Sequence, residues 1–407
     1  MAKILIPESL GKNVRAAARA LTRTGDICDL AWDHVRIKSR YFRHFHKITS
    51  SFNDDRAYIY DIINLCKEQG YGLIMPFGNT SYYAVSKHGS LLKNHNIKYM
   101  APEFEKFCLP HDKYRMTKFC EQIGIGVPQL FSDYDDNDIH EISNNLKYPV
   151  VIKAKSGVGV ATGLRYANNK QELLKYYNEI SAQEVNTGAF NYDQPMIQEF
   201  IPGVIHDACS LTVEGRVMAL LTQIRQIMYP IYGGVGAVNV TTKNPELSEL
   251  ARYLLETLGW HGPAQIEFKY DIRDKRYKLI EMNPKLWGTL DLSIRAGINF
   301  VELIKNVLVG KDIKFNNDYK NNIRYVFMFP NAFLSYLEMI KEFGFVRWKK
   351  KSTYAKIYSD IDLRDPLAEL PYIYSTLRHI MTRQFLAKSI ANLSKGLVLS
   401  GIDKEII

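Results

Sequence analysis

Cysteine is scarce in this sequence. The 407 residues hold five, Cys28, Cys66, Cys108, Cys120 and Cys209, with no C-x-x-C spacing among them. That scatter argues against a disulfide framework or a thiolate metal site and predicts reduced thiols in a cytoplasmic protein. No apolar run reaches the roughly 18 residues a membrane-spanning helix needs, and the run in "MAKILIPESLGKN" is too short for a secretory signal. A Walker loop is also missing, because the Gly-Lys pairs Gly11–Lys12 and Gly310–Lys311 are followed by Asn13 and Asp312 rather than by Ser or Thr. Neither H-R-D nor D-F-G occurs, which removes the protein kinases. Internal repeats and low-complexity stretches are lacking too.

Acidic charge is in deficit: 43 Asp and Glu stand against 53 Lys and Arg, for a net charge of +10. The segment "FVRWKKKSTYAK" (345–356) concentrates that excess among aromatics, yet no nucleic-acid-binding module accompanies it. The expectation is therefore a solvated face, or a site for an anionic small molecule or membrane surface, and no nucleic acid.

The chain opens with alternation. "AKILIPE", the alanine-rich "NVRAAARALTRTG", "DICDLAW", "DRAYIYDIINLCKEQG" and "YGLIMPFG" read as strand, helix, strand, helix and strand, the pattern of a small α/β unit with a parallel sheet over residues 1–105. "HDKYRMTKFCEQIGIGVPQLF" then predicts a helix from near Asp112 to Gly124.

"YPVVIKAKSGVGVATGLRY" (148–166) places a short β-branched strand, ending near Lys153, directly before a glycine-rich loop at 155–163. The loop is not G-x-G-x-x-G, and a returning strand rather than a helix follows it, so the dinucleotide fingerprint fails. It reads either as a surface hairpin or as a lid whose backbone N–H groups approach phosphate, with hydroxyls from Ser156 and Thr162 and charge from Lys153 and Lys155. As a lid it would be mobile without nucleotide. "PMIQEFIPG" (195–203) is a strand running into a Pro-Gly turn, as an interdomain hinge would be.

The most informative stretch is "AQIEFKYDIRDKRYKLIEMNPKLWG" (264–288). It reads as a hairpin; with the turn centred on Asp274, Glu267 lies opposite Glu281 and Asn283 shares their face. Ile266, Phe268, Ile280 and Met282 would then point into a core. Facing carboxylates repel unless a cation bridges them, and an oxygen-only ligand set suits Mg²⁺. The alternative is an acidic edge paired with Lys269 or Lys285.

Lys113, Lys153 with its loop, "QEFIPG", "AQIEF" and "IEMNPKLWG", in this order and spacing, resemble the ATP-grasp superfamily over residues 100–310. The likeness is nearest to the carbamoyl-phosphate-synthase-like carboxylate–amine ligases, including the D-aspartate-ligase-like group. It implies an N-terminal pre-ATP-grasp α/β domain (1–105) followed by a two-subdomain α+β ATP-grasp fold. The subdomains would be a small lid (106–200) and a large half (201–324), and a helical C-terminal extension (325–407) would lie outside that core. It also implies ATP and Mg²⁺, with Mn²⁺ as a substitute, small-molecule carboxylate and amine substrates, and a homodimer. Peripheral membrane contact would run through the basic patch 347–351.

By the same resemblance, Lys113 and Lys153 would contact ATP phosphates, with Lys153 also near the adenine. The loop residues Lys155, Ser156, Gly157, Gly159, Thr162 and Gly163 would cover the β- and γ-phosphates. Glu199, Phe200 and Ile201 would meet the adenine, and either His206 or Asp207 the ribose. Glu267, Glu281 and Asn283 would hold the metal. Arg225, Lys285 and Arg295 would form the catalytic set, with Lys285 standing where relatives often have arginine, which keeps the charge and loses the bidentate fork. The implied reaction makes an acyl phosphate from ATP and a carboxylate, then an amide. Activation of another acid, such as bicarbonate or a cell-surface precursor, and a non-catalytic ATP-binding module are the alternatives.

Overall fold

The computed structural model describes residues 1–407 except 35–37, 132–138, 157–162, 184–191, 232, 344–354 and 382–407. Three sheets organise it.

The first is the parallel sheet β3-β2-β1-β4, built from β1 (Lys3–Ile6), β2 (Ile27–Trp32), β3 (Phe45–Lys47) and β4 (Leu73–Ile74). It is flanked by α1 (Lys12–Arg23), α2 (Asp55–Gln69), α3 (Asn79–Lys87) and α4 (Gly89–Asn94). Local sequence sets these bounds. Asp54 caps α2 by accepting from the N–H groups of Arg56 and Ala57, and Gly70 ends it at φ 70°, a conformation glycine adopts without a Cβ penalty. Helices α5 (Phe104–His111) and α6 (Lys113–Gln122) lead out of this unit, and the Asp112 side chain caps α6.

The second sheet is small and antiparallel, in the order β6-β5-β7. Its strands are β5 (Val150–Lys153), β6 (Leu164–Ala167) and β7 (Met196–Glu199), with α7 (Ile139–Asn145) and α8 (Lys170–Ser181) beside them. Lys153 pairs with Leu164 at the mouth of the glycine-rich loop, so that loop does join a strand to its returning partner. Within it, Gly157, Gly159 and Thr162 lie outside the described residues.

The third sheet carries the chemistry. Its order is β12-β11-β8-β9-β10-β13-β14, from β8 (Ile205–Val213), β9 (Arg216–Tyr229), β10 (Val235–Thr242), β11 (Gly262–Asp271), β12 (Arg276–Asn283), β13 (Ile323–Val326) and β14 (Lys356–Ser359). One face packs on α9 (Pro245–Thr257), burying Leu247, Ala251, Leu254, Ile266 and Phe268 in a common core. Helices α10 (Leu290–Ala296), α11 (Phe300–Leu308), α12 (Phe333–Phe343) and α13 (Leu370–Met381) complete the fold.

Among its described residues the C-terminal segment holds α12 and α13 and also supplies β14, parallel to β13 at the sheet edge. Its acidic residues clamp α1: Lys12 pairs with Asp360, Arg15 with Glu369 at 2.6 Å and Arg19 with Asp362 at 2.9 Å, while Asp291, from the helix Leu290–Ala296, is a second partner of Arg19. The extension is thus built into the fold, because the buried Arg15 and Arg19 on α1 take Glu369 and Asp362 of this segment as partners. The basic patch 347–351 lies outside the described residues. No helix among the described residues is long and apolar enough to cross a membrane.

Candidate active site

Between the three-stranded and the seven-stranded sheets lies a cavity of about 580 Å³. Strand periodicity decides what lines it. On β11, Gln265, Glu267 and Lys269 face the cavity while Ile266 and Phe268 are buried in the core behind. Arg225 on β9 and Asn239 on β10 are register partners and lie on the same face.

Glu267 and Glu281 are directly opposed, by a route the sequence did not reveal. From the turn to Phe268 the ladder pairs Phe268 with Leu279, and a one-residue bulge then brings Glu267 opposite Glu281. The extra residue is Ile280. It therefore lines the cavity instead of entering the core, contrary to expectation, and Leu279, 1% exposed, takes its place inside.

Asn283 Nδ2 donates to Glu267 Oε1 and to Glu281 Oε1, each at 3.1 Å, so two carboxylates and a carboxamide converge. The cation on Glu267 is Arg225, not Lys269 or Lys285. Asp207 fixes Arg225 from below with bonds of 2.8 and 3.2 Å, and also accepts from Gln223 Nε2 at 2.8 Å.

Burial, the nearby Glu281 charge and Asp207 push the Glu267 carboxyl well above its ordinary range, against the pull of Arg225. Glu281 goes the other way. Burial would raise it, but Lys113, Lys153 and the Asn283 hydrogen bond together hold it low. Lys153 is brought down to about 8 by burial, partly restored by Glu281, and Lys269 falls to about 8 through burial and the neighbouring Lys153. Burial lowers Lys285 too.

Of the residues singled out in the sequence, Lys113, Lys153, Gly163, Glu199, Phe200, Ile201, Arg225, Glu267, Glu281, Asn283 and Lys285 line the cavity. Lys155 and Ser156 are buried beside it, and the Lys155 carbonyl accepts from the Lys113 N–H at 2.8 Å, tying α6 to the loop. His206 and Asp207 are not in the lining. His206 sits on the opposite sheet face against Tyr277, with ring centroids 5.3 Å apart, and Asp207 is fully buried beneath Arg225. Arg295 also stands away from the cavity, bonded to Asp291 at 3.0 Å and lying over the Tyr358 ring.

Sequence reasoning did not place Lys269 in the cavity wall, although it lies two residues after Glu267 and strand alternation puts both on one face. Its Nζ donates to the Ile201 carbonyl at 2.9 Å and lies over the Phe200 ring. Gln198, Asn239, Lys12 and Tyr372 also line the wall. No short-range signal marks the last two, since tertiary packing alone brings α1 and α13 to the site.

Residues 112–212 match the family model described as the carbamoyl-phosphate synthase L chain, ATP binding domain. Residues 196–328 match the one described as ATP-grasp in the biosynthetic pathway with Ter operon. The chain is similar to the carbamoyl phosphate synthase large chain of Thermotoga petrophila, with 22% identity over 275 residues, 64% of this chain and 24% of that one. It thus spans about a quarter of the length of that relative. It is also similar to the D-alanine–D-alanine ligase of Carboxydothermus hydrogenoformans, with 26% identity over 281 residues, 61% of this chain and 87% of that one. Among solved structures, the biotin carboxylase–β-γ-ATP complex from Campylobacter jejuni shares the fold, with a TM-score of 0.64 at 20% identity over 79% of this chain and 74% of that one. The two matched spans overlap at residues 196–212 and together take in the glycine-rich loop, "QEFIPG" and the carboxylate hairpin, and the chain belongs to the ATP-grasp superfamily.

Proposed function

We propose that this chain is an ATP-dependent ligase that phosphorylates a substrate carboxylate and couples the resulting acyl phosphate to an amine. The observation that carries the reading is the opposition of Glu267 and Glu281 with Asn283, in one cavity with Lys113 and Lys153. An ATP-binding module without turnover would have no need of two facing carboxylates, since like charges directly opposite repel.

At the hinge, the Glu199 N–H already donates to the Gln129 carbonyl at 2.9 Å. An adenine edge would be met by the Glu199 carbonyl and the Ile201 N–H, one acceptor and one donor. Lys113 and Lys153 would neutralise the phosphates. Glu267, Glu281 and Asn283, all able to present oxygen, fit a hard divalent cation and would hold Mg²⁺, which supplies charge neutralisation at phosphate oxygens. Arg225, kept in place by Asp207, would stabilise charge on the transferring group.

The substrate carboxylate oxygen attacks the γ-phosphorus, and the bond to the β,γ-bridging oxygen breaks with its electron pair leaving on ADP. The amine nitrogen then attacks the acyl carbon and a C–N bond forms. The C–O bond to phosphate breaks, and phosphate leaves with the electron pair and the proton shed by nitrogen. A carboxylate is a poor electrophile, so the phosphoryl group is needed to make its oxygen a leaving group. The protein's part is positioning and electrostatics, for which no nucleophilic triad is required.

Hydroxylamine trapping tests this. Incubation with MgATP and pools of carboxylic acids should yield a hydroxamate in proportion to ADP. ADP formed without any hydroxamate would argue against an acyl phosphate.

A further inference from the structure

Helix α13 packs its polar side on the protein and leaves its apolar side outside. Glu369, just before the helix, and Tyr372, Thr376 and His379 recur at helical spacing and form the inner stripe. Glu369 holds Arg15, the Tyr372 hydroxyl donates to the Leu10 carbonyl at 3.3 Å, Thr376 is 2% exposed, and His379 Nε2 lies 3.2 Å from the Tyr229 hydroxyl. Leu370, Ile373, Tyr374, Leu377, Ile380 and Met381 form the opposite stripe, and all six are exposed, from 36% at Ile373 to 81% at Met381. The apolar surface also runs back before the helix. The Asp362 N–H donates to Glu369 Oε1 at 3.0 Å, which folds residues 362–369 onto the helix start, and Leu363 and Leu367 there are exposed as well. Single apolar side chains on a surface are ordinary, but a contiguous stripe marks a face that something covers.

Charge says what that is. Between residues 344 and 402 the acidic residues are Asp360, Asp362, Asp365 and Glu369. All four are buried, bonded to Lys12, Arg19, Ser39 and Arg15 in turn. The charged side chains that 355–381 exposes are therefore basic: Lys356, Arg364 and Arg378. The sequence on either side repeats that sign, with Arg347, Lys349, Lys350 and Lys351 before it and Arg383, Lys388 and Lys395 after it. A second copy related by a two-fold axis would bring this basic face onto itself. The chain's own residues 382–402 carry no acid to meet Lys356 or Arg364. An anionic bilayer offers both an apolar boundary for the stripe and phosphates for the basic rim.

We propose that α13 docks this chain on an anionic membrane surface, with its apolar stripe at the boundary of headgroups and acyl chains and the basic side chains around it on lipid phosphates. The helix lies on the bilayer and does not cross it, since no described helix is long and apolar enough to span. The proposal stands apart from the ligase reading. Tyr372, on the inner stripe, lines the cavity, so docking would set that cavity wall beside the bilayer.

The test is flotation of the full chain with vesicles of phosphatidylcholine alone or with about 30% phosphatidylglycerol added. The expected result is binding to the anionic vesicles that weakens about tenfold or more on the neutral ones, and that weakens likewise as salt rises from about 0.1 to about 0.5 M. Substituting Leu370→Gln together with Leu377→Gln takes two leucines from the stripe and keeps good helix formers. Vesicle binding should then fall about tenfold or more, and the variant should melt no earlier than wild type, because both leucines are more than half exposed. A wild type that floats with neither vesicle overturns the proposal. Earlier melting of the variant would then assign the stripe to residues 382–407, and a wild-type dimer that the substitutions split would assign it to a second copy. Binding that the double variant keeps also overturns it, since the basic segments alone would then hold the membrane.

Discussion

Glu267 and Glu281 face each other because Ile280 bulges out of the β11–β12 ladder. The two carboxylates are not equivalent. Glu267 carries Arg225 and lies beside Asp207, whereas Glu281 answers to Lys113 and Lys153.

Sequence alone predicts that neutralising either glutamate leaves the metal-free protein no less stable, and the structure separates the two. Glu267 has its folded-state pKa raised, so its ionised form opposes folding above the unfolded pKa, and Glu267→Gln should melt no earlier than wild type at pH 7–8. Glu281 has its folded-state pKa lowered, so it contributes stability above the unfolded pKa. Glu281→Gln should cost about 1–3 kcal/mol at neutral pH, and the difference should vanish as pH falls through the folded pKa. Thermal melting of both variants from pH 3 to 8 without metal checks this; equal effects would contradict the asymmetry.

Nucleotide affinity should fall as pH rises above about 8, where Lys153 and Lys269 lose their protons. Each lysine that must be charged to hold phosphate removes up to about tenfold in affinity per pH unit. Calorimetric titration of MgADP at pH 7, 8 and 9 measures the slope, and a flat profile would show that neither lysine bears on the phosphates.

His206 makes the opposite kind of statement. Burial holds it down to about 4, with Asp207 offsetting only part. Between about 6.5 and 4 the unfolded chain binds the proton that the folded protein refuses, so stability falls with pH in that window by up to about 3 kcal/mol. Replacing His206 by Phe, which suits its place against Tyr277, should flatten urea midpoints between pH 6.5 and 4.5. An unchanged acid slope in His206→Phe would place the cause elsewhere.

The clamp on α1 should be worth measuring by substitution. Arg19 is buried between Asp291 and Asp362, and Arg19→Met leaves both carboxylates without it, an effect of about 3–5 kcal/mol for a broken buried pair. A loss under about 1 kcal/mol in chemical unfolding would mean that water replaces the guanidinium.

The alternating elements of the N-terminal unit, the hinge strand and the carboxylate hairpin were legible because each is written in short-range pattern: period-two burial, β-branched runs, and Gly or Pro at turns. The opposition of Glu267 and Glu281 was also read, but through a symmetric turn that the structure does not use. The turn and the Ile280 bulge shift the register in compensating ways, and only the pairing of Phe268 with Leu279 reveals it. What stayed hidden depends on residues far apart in the chain. Tyr372 reaches the cavity because Asp360 and Glu369 dock on α1, and no local periodicity encodes a contact over that separation. His206 and Asp207 are adjacent in sequence and fall on opposite faces of β8, so a choice between them needed the sheet.

The central claim is that this cavity turns over ATP through the carboxylate hairpin. The direct measurement is ADP and phosphate release from MgATP with pooled carboxylates and amines, for wild type beside Glu281→Gln, at matched folded protein concentration. The account predicts equimolar ADP and phosphate from the wild type and a rate about a hundredfold lower or less from the variant. It would be contradicted by a Glu281→Gln protein that releases ADP at the wild-type rate.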